Sequence, residues 1–526
     1  MHHMTRSTSL IVDTPASRRL FQSFVFFIIM VVFGTSSVFA EKYHVQMNGR
    51  DDPARDGKTW ETAWASLAFA CEQTPADGQP HQIVIRTGTY HVTRTAFPKS
   101  NTTIVGEGAR GKKGSHLIAS NTWKLSEEFK PDQPPAQEHV IAFRDKENIA
   151  IRKLSISSNP EHRITGGIWA TASKGLKIEQ VAFKDFRWNG IYLNVCQEID
   201  LGHCQFEDCS TNKMRHWGGH IRSRYLTNAN IHHNRIKGRT GGGYGYKAGG
   251  HTNARIHHNF IDIKGGFGIE SAHENEYGVE IDHNWINQCI SIPKGGQAAD
   301  PNTREFEYSF WIHHNFLSHS YTIEGPRNHL IFEHNYVNTS SPNGRVYTHH
   351  GGINHGPVTI RYNVIENVDR ALIWMNNGLA ENIFVYNNSI FCADAGNRTG
   401  TLLGVSKPER LNNWVFKNNL VIAAWSQPRR IVWKEHAEIL AKMDVKHNLF
   451  VNCLAVPQGN LENEDPGLIR EGQKPSPFWT SKDAESFVVD RGVNVGLPFE
   501  GEKPDIGAFE FGVEPWKLEN IPQPRW

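Results

Sequence analysis

Nine times between Ile231 and Phe450 the chain repeats one phrase: an apolar residue, two variable positions, asparagine, one variable position, and a second apolar residue. The phrase runs through Ile231/Asn234/Ile236, Ile256/Asn259/Ile261, Ile281/Asn284/Ile286, Ile312/Asn315/Leu317 and Phe332/Asn335/Val337. It continues through Ile360/Asn363/Ile365, Val385/Asn388/Ile390, Phe416/Asn419/Val421 and Val445/Asn448/Phe450. Upstream, Leu154, Val181 and Cys204 stand in the asparagine slot, and the twelve slots lie 20 to 31 residues apart. A period of this length means one supersecondary unit per repeat, stacked on its neighbours to bury a shared core. The units are β-rich and punctuated by glycine, without helical periodicity, and the consensus of leucine-rich repeats is missing. The expected fold is therefore all-β: a parallel β-solenoid of about twelve or more rungs.

The spacing inside the phrase has a physical reading. Side chains of a strand alternate with period two. Ile231 and Ile236 are five apart, so one residue between them must break the alternation. Asn234 is the expected place, because asparagine tolerates left-handed backbone. Stacked turns then set amide on amide. Three phrases carry paired histidines: "IHHNRI" at 231–236, "IHHNFI" at 256–261 and "IHHNFL" at 312–317. Neighbours on a strand point to opposite faces, so His232 and His233 are expected to stack along the solenoid without sharing a metal ion.

Beyond the repeats, Tyr43–Val92 reads as a strand, an amphipathic helix over 63–73 and a first rung ending Gly-Thr-Tyr; "EDPGLI" (464–469) and "PDIGAFEF" (504–511) follow the last rung. With these segments the chain resembles the right-handed parallel β-helix proteins of the pectate-lyase-like superfamily, which carry such an asparagine ladder. Along the chain, residues 41–80 read as an amphipathic cap, 81–455 as the β-helix and 456–526 as a proline-rich, irregular wrapping segment. The resemblance matches no single enzyme family. The fold hosts lyases, hydrolases, epimerases and adhesins, so it does not name a substrate.

Residues 1–40 read as a secretory signal: Arg18-Arg19, the apolar run Phe24–Phe33, then small residues ending at Ala40. A periplasmic or secreted monomer, with no membrane contact after cleavage, is the expectation. The chain has 56 basic and 54 acidic side chains, and a cut after Ala40 removes three of the first and one of the second. Equal charge without a basic block argues against nucleic acid. The seven cysteines lack framework spacing and read as mostly buried thiols, with a Cys204–Cys209 bridge left open. No HExxH, GxSxG or P-loop occurs.

Aligning the strand before each asparagine phrase gives an inward column of Leu193, Ile221, Tyr246, Ile269, Ile292 and Ile323. The residue after each is then outward: Asn194, Arg222, Lys247, Glu270, Pro293 and Glu324, continued by His349 and Trp374. At ~4.8 Å per rung this is a polar stripe about 20 Å long. Gly245, Gly268 and Gly325 are expected to clear space beside it. His273 and Arg327 follow the two glutamates, and Tyr192, Tyr244, Tyr321 and Trp374 offer rings on which sugars stack.

Glycoside hydrolysis needs one protonated carboxyl and one carboxylate on either side of the bond. Glu270 and Glu324, two rungs apart, are ~9.6 Å apart at the backbone, closer to the inverting than the retaining geometry. Arg222 and Lys247 could hold a sulfate or uronate. The expected function is cleavage of an acidic or sulfated polysaccharide by hydrolysis. The alternative is a lyase with Lys247 as base and Glu270 and Glu324 holding Ca²⁺, in line with the Lys or Arg bases and frequent Ca²⁺ that the resemblance implies. A carbohydrate-binding adhesin or an epimerase is a third reading. No cofactor is expected for the hydrolase.

Overall fold

The computed structural model describes residues 40–526, except 110–113, 127–133, 211–217, 240–242, 272–275, 293–307, 320, 326–328, 340–343, 350–352, 355, 376–378, 394–399, 406–408, 410, 425, 427, 433, 473, 476–477, 520 and 523–526. The candidate signal therefore lies outside the described residues. Each repeat is one turn of a solenoid. In one such turn, Gly219–Arg224 leads to Thr227–His232 and Arg235–Gly238, and Tyr244–Ala248 then pairs with the first strand. Repetition builds three parallel sheets, here called A, B and C. Sheet A holds 16 described strands, from Glu41–Val45 onward, sheet B holds 15 and sheet C holds 13. Strands pair in register one rung at a time, so equivalent residues stack.

The interior is filled by such stacks. Ile231, Ile256, Ile281, Ile312, Phe332, Ile360 and Val385 lie on successive strands of sheet A, all buried. Each contributes about 1.5–3 kcal/mol by leaving water. The cap helix is Leu67–Gln73. It starts later than its amphipathic pattern suggests because Ser66 caps it, Oγ accepting from Phe69 N at 3.2 Å. Ahead of the helix, Trp64 instead bridges Val45 at the end of the solenoid. After the last rung, the C-terminal segment turns back along the outer face of sheet B. There Trp479, Val488, Ile506 and Phe509 pack on Tyr336, Val364, Leu420 and Leu449. Among the described residues, no helix is long and apolar enough to cross a membrane. All seven cysteines are buried free thiols, so the Cys204–Cys209 bridge is not formed.

The turn between sheets A and B differs from expectation in one residue. The left-handed position is not the asparagine but the residue before it: His203, His233, His258, His283, His314 and His334 all have φ between 51° and 56°. Tyr362, Asn387, Asn418 and His447 continue the series. This reversal turns the asparagine inward. Asn234, Asn259, Asn284, Asn315, Asn335, Asn363, Asn388, Asn419 and Asn448 form a buried amide ladder, each accepting from the previous rung at 2.8–3.1 Å. Asn460 closes it, only 12 residues after Asn448 and outside the repeat phrase. The left-handed histidines face outward and stack: His203 on His233, His233 on His258, His258 on His283 and His283 on His314, at 4.8–5.2 Å between ring centroids. Burial, then the neighbouring imidazoles, push His233 down to about 4 and His314 down to about 3. Both rings are neutral at neutral pH.

Candidate functional site

Register in sheet C fixes which residues share the outward column. It reads Ala142, Trp169, Tyr192, Arg222, Lys247, Glu270, Ser291, Glu324, Thr348, Trp374 and Gly404. Arg222, Lys247, Glu270, Glu324 and Trp374 are thus brought together. Three expected members are not. Asn194 pairs with Arg224, two residues along, in a second column with Arg144 and Thr171. Ser291 holds the place given to Pro293, which lies outside the described residues. His349 pairs with Gly325, one residue past Thr348. The inward column correspondingly contains Ile191 and Ile290, not Leu193 and Ile292. Leu193 and Ile292 are apolar as well, so one apolar residue per strand does not fix the register.

The glycines also act on the other face. A Cβ at Gly245 would lie 2.6 Å from Ile261, one at Gly268 would lie 2.4 Å from Ile286, and one at Gly325 would lie 2.6 Å from the Tyr347 hydroxyl. These are clashes inside the solenoid, so the glycines make room for core side chains, not for a ligand. At the same position one rung before Gly245, His220 replaces glycine, and Gly238 opposite it gives the space instead.

The charged part of the column is ordered. The Lys247 ammonium pairs with Glu270 Oε2, and the two side chains are 14% and 10% exposed. The same ammonium lies 4.1 Å from the Tyr244 ring centroid. A carboxylate beside a buried ammonium is held ionised. One rung on, Ser291 Oγ donates to Glu324 Oε2 at 3.1 Å. Glu270 and Glu324 thus bracket Ser291, two rungs and ~9.6 Å apart at the backbone.

The flanking residues are less open than expected. Arg222 is buried, its guanidinium 5.0 Å from the Trp188 ring. Trp374 is buried with Arg345 and Arg370 over its ring at 4.4 and 4.1 Å. Tyr244 is buried and stacked on Phe267. At the N-terminal end of the column Trp169, Trp188 and Tyr192 form a small aromatic cluster. There a cleft of ≈ 710 Å³ is lined by Phe97, Arg144, Trp169, Tyr192 and Asn194, among others. Trp169, Arg144, Arg224 and Ser291 are members that sequence reasoning missed. His273 and Arg327 lie outside the described residues, as do the side chains of Tyr321 and His349.

Several solved structures are similar to this chain. A pectate lyase, Pel9A, is 15% identical with a TM-score of 0.28, the match covering 90% of this chain and 98% of that one. A tailspike protein of E. coli bacteriophage HK620, in complex with a pentasaccharide, is 11% identical with a TM-score of 0.41, over 76% and 74%. The catalytic domain of a GH87 alpha-1,3-glucanase, in complex with nigerose, is 11% identical with a TM-score of 0.34, over 76% and 66%. At such identities and TM-scores no chemistry carries over. No curated protein matches the chain. Residues 139–302 match the family described as "Right handed beta helix region", and a right-handed parallel β-helix is the fold of this protein.

Proposed function

We propose that the protein binds a polysaccharide along the outer face of sheet C and hydrolyses it between Glu270 and Glu324. One observation carries this reading: two carboxyl groups, Glu270 and Glu324, share one outward column, separated by a single rung. Inverting hydrolysis needs two such carboxyl groups, a base and an acid, about 6.5–9.5 Å apart. Glu270, ion-paired with Lys247, is assigned as the base that activates water. Glu324 is then the acid that protonates the leaving oxygen. Trp169 and Tyr192, themselves largely buried, line the cleft at the N-terminal end of the column, along which a sugar chain would lie. Arg144 and Arg224, in the same column as Asn194, take the anion-holding role first given to Arg222, so an acidic or sulfated polymer remains the expected substrate.

The lyase alternative is weakened by the same ion pair. A base must be unprotonated, and a lysine bound to a carboxylate is held protonated. Digestion of an acidic-polysaccharide panel separates the readings. Hydrolysis releases reducing ends without absorbance near 235 nm, and fresh product carries the inverted anomeric configuration by NMR. Absorbance at 235 nm that EDTA abolishes would instead establish a Ca²⁺-dependent lyase. Binding without product would leave an adhesin.

A further inference from the structure

The paired histidines do not behave as strand neighbours. The second of each pair is left-handed, with φ of 53° at His233 and His258 and 52° at His314. That reversal brings the two rings to the same side. Nδ1 meets Nδ1 at 2.9 Å in His232/His233, 2.8 Å in His257/His258 and 2.9 Å in His313/His314. The expectation that His232 and His233 cannot share an ion is therefore corrected: it assumed an unbroken strand.

Among the described residues, three groups place ligand atoms within 4.8 Å of one another. Two of them contain Asp282, and in both a cation is already in place. Arg255 donates to Asp282 at 2.8 and 2.6 Å and stands 3.5 Å from Glu280. The third group is His203, His232 and His233. Its inner ring is oriented from outside: His232 Nε2 lies 2.8 Å from Asp200 Oδ1, while Asp200 Oδ2 is 3.4 Å from Lys177. An ionised carboxylate only accepts, so Nε2 carries the proton and His232 Nδ1 presents its lone pair. A carboxylate behind a histidine is the usual second support of a metal ligand.

The spacing selects the ion. Two nitrogens 2.9 Å apart, each ~2.05 Å from a shared ion, subtend about 90°. A tetrahedral ion would need ~3.3 Å at the same bond length. Right-angled nitrogen ligands suit tetragonal Cu²⁺ or Ni²⁺. His203 stacks on His233 at 4.8 Å and is exposed, so its ring can swing onto the ion. A cleft of ≈ 410 Å³ at His203, with Lys153 and Gln205 on its wall, leaves space for water ligands. We propose that His203, His232 and His233 form a surface site for Cu²⁺ or Ni²⁺, independent of the column on sheet C. On binding, His233 keeps its single ring proton and moves it from Nδ1 to Nε2, so no net proton is released.

The test is Cu²⁺ titration of the full chain by calorimetry and EPR, in a His2→Ala/His3→Ala background that silences the two N-terminal histidines. The expected result is one equivalent bound, with nitrogen hyperfine splitting. His203→Ala and His233→Asn should each weaken binding at least tenfold, and Asp200→Asn by about 10–100-fold. Asn is the substitution of choice because Asn387 and Asn418 occupy the same left-handed position, with φ of 48° and 55°. His258→Ala, one rung on, should leave the affinity within twofold. No stoichiometric binding, or equal affinity in His203→Ala, His233→Asn and the parent, would overturn the site.

Discussion

Replacing Asn315 by alanine tests the ladder where it is best connected. Asn315 Oδ1 accepts from the backbone N of Asn284 at 2.9 Å and from its Nδ2 at 3.0 Å. Its own Nδ2 donates to Ile281 O and His313 O, both at 2.8 Å, and to Asn335 Oδ1 at 3.0 Å. Alanine removes all of these and keeps only the backbone N–H to Asn335 Oδ1. One buried donor, the Asn284 backbone N–H, loses its acceptor, while Asn284 Nδ2 keeps Ile256 O and Asp282 O. At about 1–3 kcal/mol for a buried group left unsatisfied, the cost is about 1–3 kcal/mol. In a solenoid each rung answers mainly to its neighbours, so the damage should be local. Urea denaturation gives the total, and hydrogen exchange gives the place. Protection should fall most over 281–287 and 312–317. A loss below about 1 kcal/mol, or an even loss of protection along the chain, would refute the view that these amides hold the turn.

Two further outcomes follow from single contacts. Gly268→Ala drives its methyl to 2.4 Å from Ile286 Cγ2, so it should cost about 1–3 kcal/mol by overpacking; Ile286→Ala in the same chain should recover part of that, and a Gly268→Ala melt equal to wild type would show that the interior has slack. Burial pushes Glu510 up to about 7, so the folded state holds a proton that the unfolded state releases near its ordinary value of 4.5. Stability from this group is full below that lower value and is lost as pH rises towards 7. Glu510→Gln should therefore flatten the fall in melting temperature between pH 5 and pH 8, and an unchanged slope would contradict it.

The repeat made the fold legible because stacking forces equivalent residues into equivalent slots. Asn234 to Asn448 could be counted by eye, and the buried isoleucines beside them define sheet A. The left-handed residue was misplaced by one because asparagine is the residue type that favours that conformation, whereas here the ladder's inward hydrogen bonds claim it and pass the strain to His233. Sheet C was harder. Its strands differ in length and carry two apolar candidates each, so alignment on Leu193 and Ile292 put Asn194 and Pro293 where Tyr192 and Ser291 stand. The better ruler was present: Gly190, Gly245 and Gly268 each precede an inward residue, because the large side chains of sheet B oppose them. Aligning those glycines gives Tyr192 directly. Burial was not legible. Nothing in the pattern says that Arg222 lies against Trp188, or that Trp374 is covered by Arg345 and Arg370, since these contacts join different rungs and their connections. The Lys247–Glu270 pair was within reach, because stacked residues of opposite charge one rung apart must meet.

The central claim is that Glu270 and Glu324 act as a pair on one polymer chain. Reducing-end release from the best substrate of the panel, compared among wild type, Glu270→Gln and Glu324→Gln, tests it most directly. Each amide keeps the shape of the side chain and removes its charge and acidity. The account predicts that activity is lost in each variant, with circular dichroism and melting that still report the folded solenoid. Wild-type rates in either folded variant would contradict it.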